Sequence, residues 1–289
     1  MRRPFQRLLL CLLLCVSGNA LAHPALWVAR DADTTIYLFG TVHLLPHDTD
    51  WHFPALDKAL ADSCSLYVEI TDDDPAHMTA LVLRYGIDTA HPLSQQLAPF
   101  DRGRLERAAR LADVPGGMAA LDIMRPWLAA LSLTVAPLVK AGLDPKLGVD
   151  KQLRTAMEKN GKPVHALETA EQQIRFLADM PTALQLGLLR ATLRDTDRAD
   201  VDLTRLIGAW KAGDDDAIAR LENDQLRRQE PRLYQRLLVE RNAAWALRIK
   251  AMLDRPGTVF IAVGAAHLAG PDSVQAQLRA HGTPVERLP

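Results

Sequence analysis

Two rhythms of apolar and polar positions divide this chain. Near both ends, short β-branched and aromatic runs are bounded by turn residues, the pattern of buried or half-buried strands. Residues 26–29 and 34–42 read as two strands joined by a turn at Asp31-Ala32-Asp33, and 65–70 (SLYVEI) as a third. Residues 258–263 and 284–288 repeat the pattern at the other end, around a helix at 272–280. Between them the apolar positions recur at helical spacing, over 102–112, 119–141, 149–160, 170–178, 181–193, 200–212 and 231–253. Gly142, Gly161, Pro181, Gly213 and Pro231 punctuate this block, and one strand at 162–167 interrupts it. A short helix at 54–63 carries Leu56 and Leu60 on one face. Asp72-Asp73-Asp74-Pro75 opens another, with acids and proline where a first turn favours them. The expected fold class is α/β: a central sheet formed by strands from both chain ends, with a large helical insertion over approximately 92–253.

One echo stands out. TTIYLFGTVHL at 34–44 and TVFIAVGAAHL at 258–268 each run through a strand into Gly-x-x-His-Leu, with Thr six positions before the Gly. With 16 Gly and 9 His in 289 residues, about half a bare GxxH match is expected by chance. The shared strand is what gives the pair weight. Gly40 and Gly264 let the backbone turn sharply or approach a ligand closely. His43 and His267 then fall on loops just past the strand ends, where open α/β sheets place their sites.

Composition narrows the class. Arg2, Arg3 and Arg7, an apolar stretch over 8–16 and the small-residue box Ala20-Leu21-Ala22 read as a secretory signal over 1–22. That leaves 23–289 as a single domain. Removing the signal takes away three arginines and no acid, so the formal net charge moves from −1 to −4. No basic face is implied, and nucleic acid is not an expected partner. Cys11 and Cys15 leave with the signal, and Cys64 alone cannot form an intramolecular disulfide. No later run reaches the ~20 apolar residues of a membrane span. Export to a bacterial periplasm is the expected localisation.

Glu69 falls near the end of the third strand, where a carboxylate is costly unless paired, metal-bound or at a solvent edge. With His43 and His267 it completes a set of two histidines and one carboxylate, which leaves coordination positions open. A divalent ion there (manganese, cobalt or zinc) would be the cofactor. Arg241 interrupts the apolar stripe Tyr234, Leu238, Trp245, Ile249, Met252 and needs a carboxylate partner. Glu69, Asp150, Glu168 and a substrate carboxylate are the candidates. Asp150 begins a helix, so capping explains it as well as a site role does. Glu168 ends the 162–167 strand, where it serves the site or caps the next helix. His47, His52 and His77 read as surface residues, and His165 as a packed strand position.

In these motifs the chain resembles the TraB/GumN/PrgY group, which includes the Tiki proteases. Its hallmark of two distant GxxH motifs and a glutamate after the first is matched by Gly40–His43, Gly264–His267 and Glu69. Gly148-Val149-Asp150 matches a GxD element, Lys162–Thr169 a KPV..LET strand and turn followed by Glu171 and Gln172, and Glu240-Arg241-Asn242 an RN helix. The resemblance runs from Ala25 to Leu288. It implies a fold similar to erythromycin esterases and the haem-binding ChaN proteins, and divalent-metal-dependent hydrolysis. One position departs: Ala266 stands where the second motif often has glycine.

The expected function is therefore metal-dependent hydrolysis, of a peptide bond first and of another small molecule second. His43, His267 and Glu69 hold the metal, Glu69 being either ligand or general base. Arg241 orients substrate or stabilises an oxyanion, and Gly40, Gly264, Asp150, Glu168 and Asn242 bind substrate or support the ligands. Two rivals use the same scaffold: a periplasmic protein that binds haem, metal or another ligand without turnover, and a metal-independent esterase. No GxSxG elbow is present to supply a serine nucleophile.

Overall fold

A computed structural model of the chain describes residues 23–47, 49–195 and 199–289. The signal expected over 1–22 lies outside the described residues. Strands from both ends meet in one six-stranded sheet. These are β1 (Leu26–Arg30), β2 (Thr34–Thr41), β3 (Ser65–Val68), β4 (Val164–Ala166), β5 (Gly257–Gly264) and β6 (Val285–Arg287). Their order is β4-β3-β5-β2-β1-β6. β4, β3, β5 and β2 run parallel to one another, while β1 is antiparallel to both of its neighbours.

The two echoing strands are direct neighbours. β2 pairs with β5 over eight positions, from Thr34 opposite Gly257 to Thr41 opposite Gly264. Alternation along β2 sorts its side chains between two cores. Tyr37 and Phe39 face Phe260, Trp51, Leu56, Val149 and Trp210. Ile36 and Leu38 face Ile261, Trp245, Ala246, Ile249 and Leu278. The sheet is thus covered by helices on both faces, which its near-continuous apolar strands require. A further core of Leu93, Leu105, Leu121, Leu133 and Leu189 lies within the helical block.

The helical block differs from the periodicity reading at three places. The helix expected over 119–141 is two, Gly117–Asp122 and Pro126–Lys140. Pro126 cannot continue a helix from before it but fits a first turn. Residues 214–230, where the pattern gave no helix, hold Asp215–Ile218, a π-helical turn at Ala219–Asn223 and Asp224–Gln229. A second π turn, Gln235–Val239, precedes the helix Glu240–Lys250. A π turn takes up an extra residue and shifts the phase of an apolar stripe, which at Ala219–Asn223 hides the helix from a search at 3.6 residues per turn. His165, expected to pack, is exposed and tilts its ring against Tyr67 at 4.8 Å. No described helix is long and apolar enough to cross a membrane.

Candidate active site

Four adjacent parallel strands carry the site at their carboxyl ends. His43 follows β2, Glu69 follows β3, Glu168 follows β4 and His267 lies on the 3-10 turn Ala265–Leu268 after β5. A β-carbon placed on Gly264 would stand 3.2 Å from Glu69 Oε1 and 3.6 Å from both His43 Nε2 and His267 Cδ2. The three groups therefore border one small space that glycine leaves open. Gly40 is needed for a different contact, since its β-carbon would meet Ala265 Cα at 3.1 Å. Ala266 lacks a positive φ, so its side chain adds no backbone strain to this turn.

Each histidine is held by its outer nitrogen. His43 Nδ1 lies 3.2 Å from Asp150 Oδ1. The helix start that carries Asp150 is capped without its side chain, at Gly148, whose β-carbon would stand 2.7 Å from His43 O. His267 Nδ1 lies 2.5 Å from Asn242 Oδ1, and Asn242 Nδ2 donates to Asp272 O at 2.8 Å. That second bond turns the Asn242 oxygen toward the ring, so His267 Nδ1 is the donor and Nε2 the acceptor. Trp245 tilts against His267 at 4.5 Å between ring centres.

Arg241 ties the inner groups together. Its Nη2 donates to Glu69 Oε2 and to Glu168 Oε2, both at 2.8 Å, and its Nε donates to Glu168 Oε1 at 2.9 Å. Its Nη1 donates to Leu237 O at 3.2 Å and to His267 Nε2 at 3.1 Å. All five guanidinium N–H groups are thus engaged. The expectation that Arg241 offers a donor to substrate meets that limit, and Arg241 is placed to position its neighbours. Gln173, which sequence reasoning passed over, donates to Glu69 Oε2 at 2.8 Å and to Glu168 Oε2 at 3.1 Å. Its only signal was its place one residue beyond Gln172, which completes the capping box with Thr169.

The electrostatics follow from this geometry. The Asp150 hydrogen bond, against burial, raises His43 to about 9. His43 is 61 % exposed at its side chain and borders a cleft, so water reaches it. Burial alone would raise Glu69. The charges of His267, Arg241 and His43, with the Gly264 N–H at 2.8 Å, outweigh it and hold the carboxyl at about 2. Burial pushes His267 down to about 3, so its ring is neutral near neutral pH and Arg241 is the close cation beside Glu69.

Among the described residues no group of three or more His, Cys, Asp or Glu side chains stands close enough to hold a metal ion. The donor chemistry and orientation nevertheless fit one. His43 Nε2 and Glu69 Oε1 border the Gly264 space, and both histidines have an oxygen acceptor at Nδ1, the support that ligating imidazoles use. His267 Nε2 accepts a hydrogen bond from Arg241 Nη1 at 3.1 Å. The cleft outside them has a volume of about 390 Å3 and is bordered by His43, Glu69, Asp150, Gln173, Lys151 and Arg154.

The fold and site define an α/β protein with a histidine and carboxylate centre at its parallel strand ends. The chain matches the TraB/PrgY/gumN family over residues 25–287 and belongs to that family. It is 29 % identical over 268 residues to the uncharacterized protein YbaP of Escherichia coli (strain K12), covering 91 % of this chain and 94 % of that one. It is 27 % identical over 318 residues to the metalloprotease TIKI2 of Xenopus tropicalis, covering 91 % of this chain and 60 % of TIKI2. No solved structure matches the chain.

Proposed function

We propose that this protein is an exported, metal-dependent hydrolase that cleaves a peptide bond, with His43, Glu69 and His267 as the residues that hold a divalent ion. One observation carries the reading: both imidazoles are anchored at Nδ1 by an oxygen acceptor, and both border the space beside Glu69. The likeness to a metalloprotease supports the reaction class. When bound, the ion supplies Lewis acidity toward the scissile carbonyl and the attacking water. Asp150 orients His43, and Asn242 fixes the tautomer that leaves His267 Nε2 unprotonated. Arg241 and Gln173 hold Glu69 Oε2, which leaves Oε1 at the open space with only the Gly264 N–H on it. A carboxyl held at about 2 is a poor proton acceptor near neutral pH, so Glu69 suits the role of ligand better than that of general base.

The Arg241–His267 bond favours a second reading, hydrolysis without metal, in which the inner cluster is structural. Cleavage of a peptide library with added manganese, cobalt or zinc, and with a chelator, separates the two. The metal reading expects cleavage that the chelator abolishes and that His43→Ala and His267→Ala remove. Chelator-insensitive cleavage favours the second reading. A stoichiometric ligand with no product overturns both.

A further inference from the structure

The helix Pro126–Lys140 also borders a second cavity, of about 380 Å3. That volume falls in the range of ligand pockets, roughly 300–1,000 Å3. The helix borders both spaces: Val135 lines the cleft at His43, whereas Leu133, Thr134 and Leu138 line the second cavity. Leu188, Leu203 and Leu226 complete its apolar walls. Its ionisable lining is all acidic, Glu222 and Glu230, with no Lys, Arg or His among the described lining residues.

Glu222 is the informative member. It sits on the π turn Ala219–Asn223, a local geometry common at functional sites. The next residue, Asn223, donates from Nδ2 to Ala266 O and Ala269 O, both at 2.9 Å, and so fixes this turn against the loop that carries His267. Glu222 is exposed at the cavity surface, where the surrounding protein desolvates it and pushes its carboxyl up. No described residue donates a hydrogen bond to it, and the opposing charge it feels is that of His43. An alkylammonium entering the cavity meets apolar walls for its chain and, in Glu222, a carboxylate with no competing hydrogen-bond donor among the described residues.

We propose that this chamber is the specificity pocket of the site, built for an aliphatic chain that ends in a positive charge, with Glu222 pairing that charge. The assignment to substrate specificity rests on the hydrolase reading above. The binding chemistry rests on the cavity alone. A lysine-like or alkylamine group satisfies both walls and acid at once. A fatty carboxylate would set its charge against Glu222 and Glu230, and a neutral chain would leave Glu222 unpaired.

Calorimetric titration with octylammonium, octanoate and methylammonium tests the proposal without turnover. Octylammonium is expected to bind the wild-type protein at least ~10-fold more tightly than either other probe. Glu222→Gln is expected to reduce that advantage over octanoate at least several-fold, and Leu203→Trp, which fills the chamber, to remove octylammonium binding. Equal binding of octanoate and octylammonium by wild type overturns the proposal whatever the variants do. So does unchanged octylammonium affinity in a folded Glu222→Gln protein. If octylammonium binds as expected and no peptide is cleaved, the hydrolase reading fails and the pocket stands. If peptides are cleaved and octylammonium does not bind, the pocket fails alone.

Discussion

Arg241 Nη1 stands 3.1 Å from Nε2 of His267, the nitrogen that a metal would need. The same guanidinium pairs with Glu69 and Glu168, and the three side chains are only 11, 13 and 8 % exposed. One cation therefore compensates two buried carboxylates. Removing it leaves both unpaired, which costs about 3–5 kcal/mol for a buried pair. Arg241→Ala is expected to lower stability by that order in urea denaturation at neutral pH. Arg241→Ala combined with Glu168→Gln is expected to recover part of the loss, because one buried charge is then removed as well.

The His43–Asp150 contact sets the proton affinity of the outer histidine. With its folded value raised to about 9 from an ordinary 6.5, His43 is protonated near pH 7. The stability it contributes is present in full below about 6.5 and is lost as pH rises through 9. In an NMR titration of the metal-free protein the His43 ring is expected to titrate near 9, and well below that in Asp150→Asn. A divalent ion must displace this proton, so metal affinity is expected to rise with pH up to about 9.

Gly40 is fixed by the approach of Ala265, whose Cα would lie 3.1 Å from a new β-carbon. Gly40→Ala is expected to destabilise by about 1–3 kcal/mol, the usual cost of overpacking. It should also displace the turn that carries His267. Ala265→Gly in that background removes the further contact at 3.2 Å with Ala265 Cβ and is expected to restore part of the stability. Paired urea melts of the single and double variants measure both effects.

Asp215 lies away from the site, 3.5 Å from Arg287. Burial raises its carboxyl to about 6, with the Arg287 charge opposing. The folded state therefore holds the proton more tightly than the unfolded chain. Stability from this group is highest below about 3.8 and falls as pH rises to 6. Asp215→Asn is expected to raise stability by about 1 kcal/mol at pH 7.5, a part of the full linkage because the Arg287 contact weakens too. At pH 4 the gain is expected to shrink toward zero. Thermal melts at the two pH values read the difference.

Much of this arrangement was legible in the sequence because local pattern and tertiary placement agree. The matched runs ending at His43 and His267 are strands, and the parallel β2–β5 pair places them side by side. SLYVEI carries Glu69 near its end, beside that pair, and the stripe broken by Arg241 lies over it with the carboxylates it needed. What stayed hidden depends on contacts that spacing does not encode. Gln173 and Asn223 reach the site from helix positions with no distinctive neighbours. Glu222 lies on a π turn, where the apolar phase slips. The engagement of all five Arg241 donors is likewise a fact of three dimensions.

The central claim is that His43, Glu69 and His267 together hold a divalent ion. Metal content per chain after native purification, compared with His43→Ala/His267→Ala, tests it most directly. The account predicts close to one manganese, cobalt or zinc per wild-type chain, or its uptake on addition, and none in the double variant. Wild-type protein that neither carries nor takes up metal, or a double variant that retains it, would contradict the account.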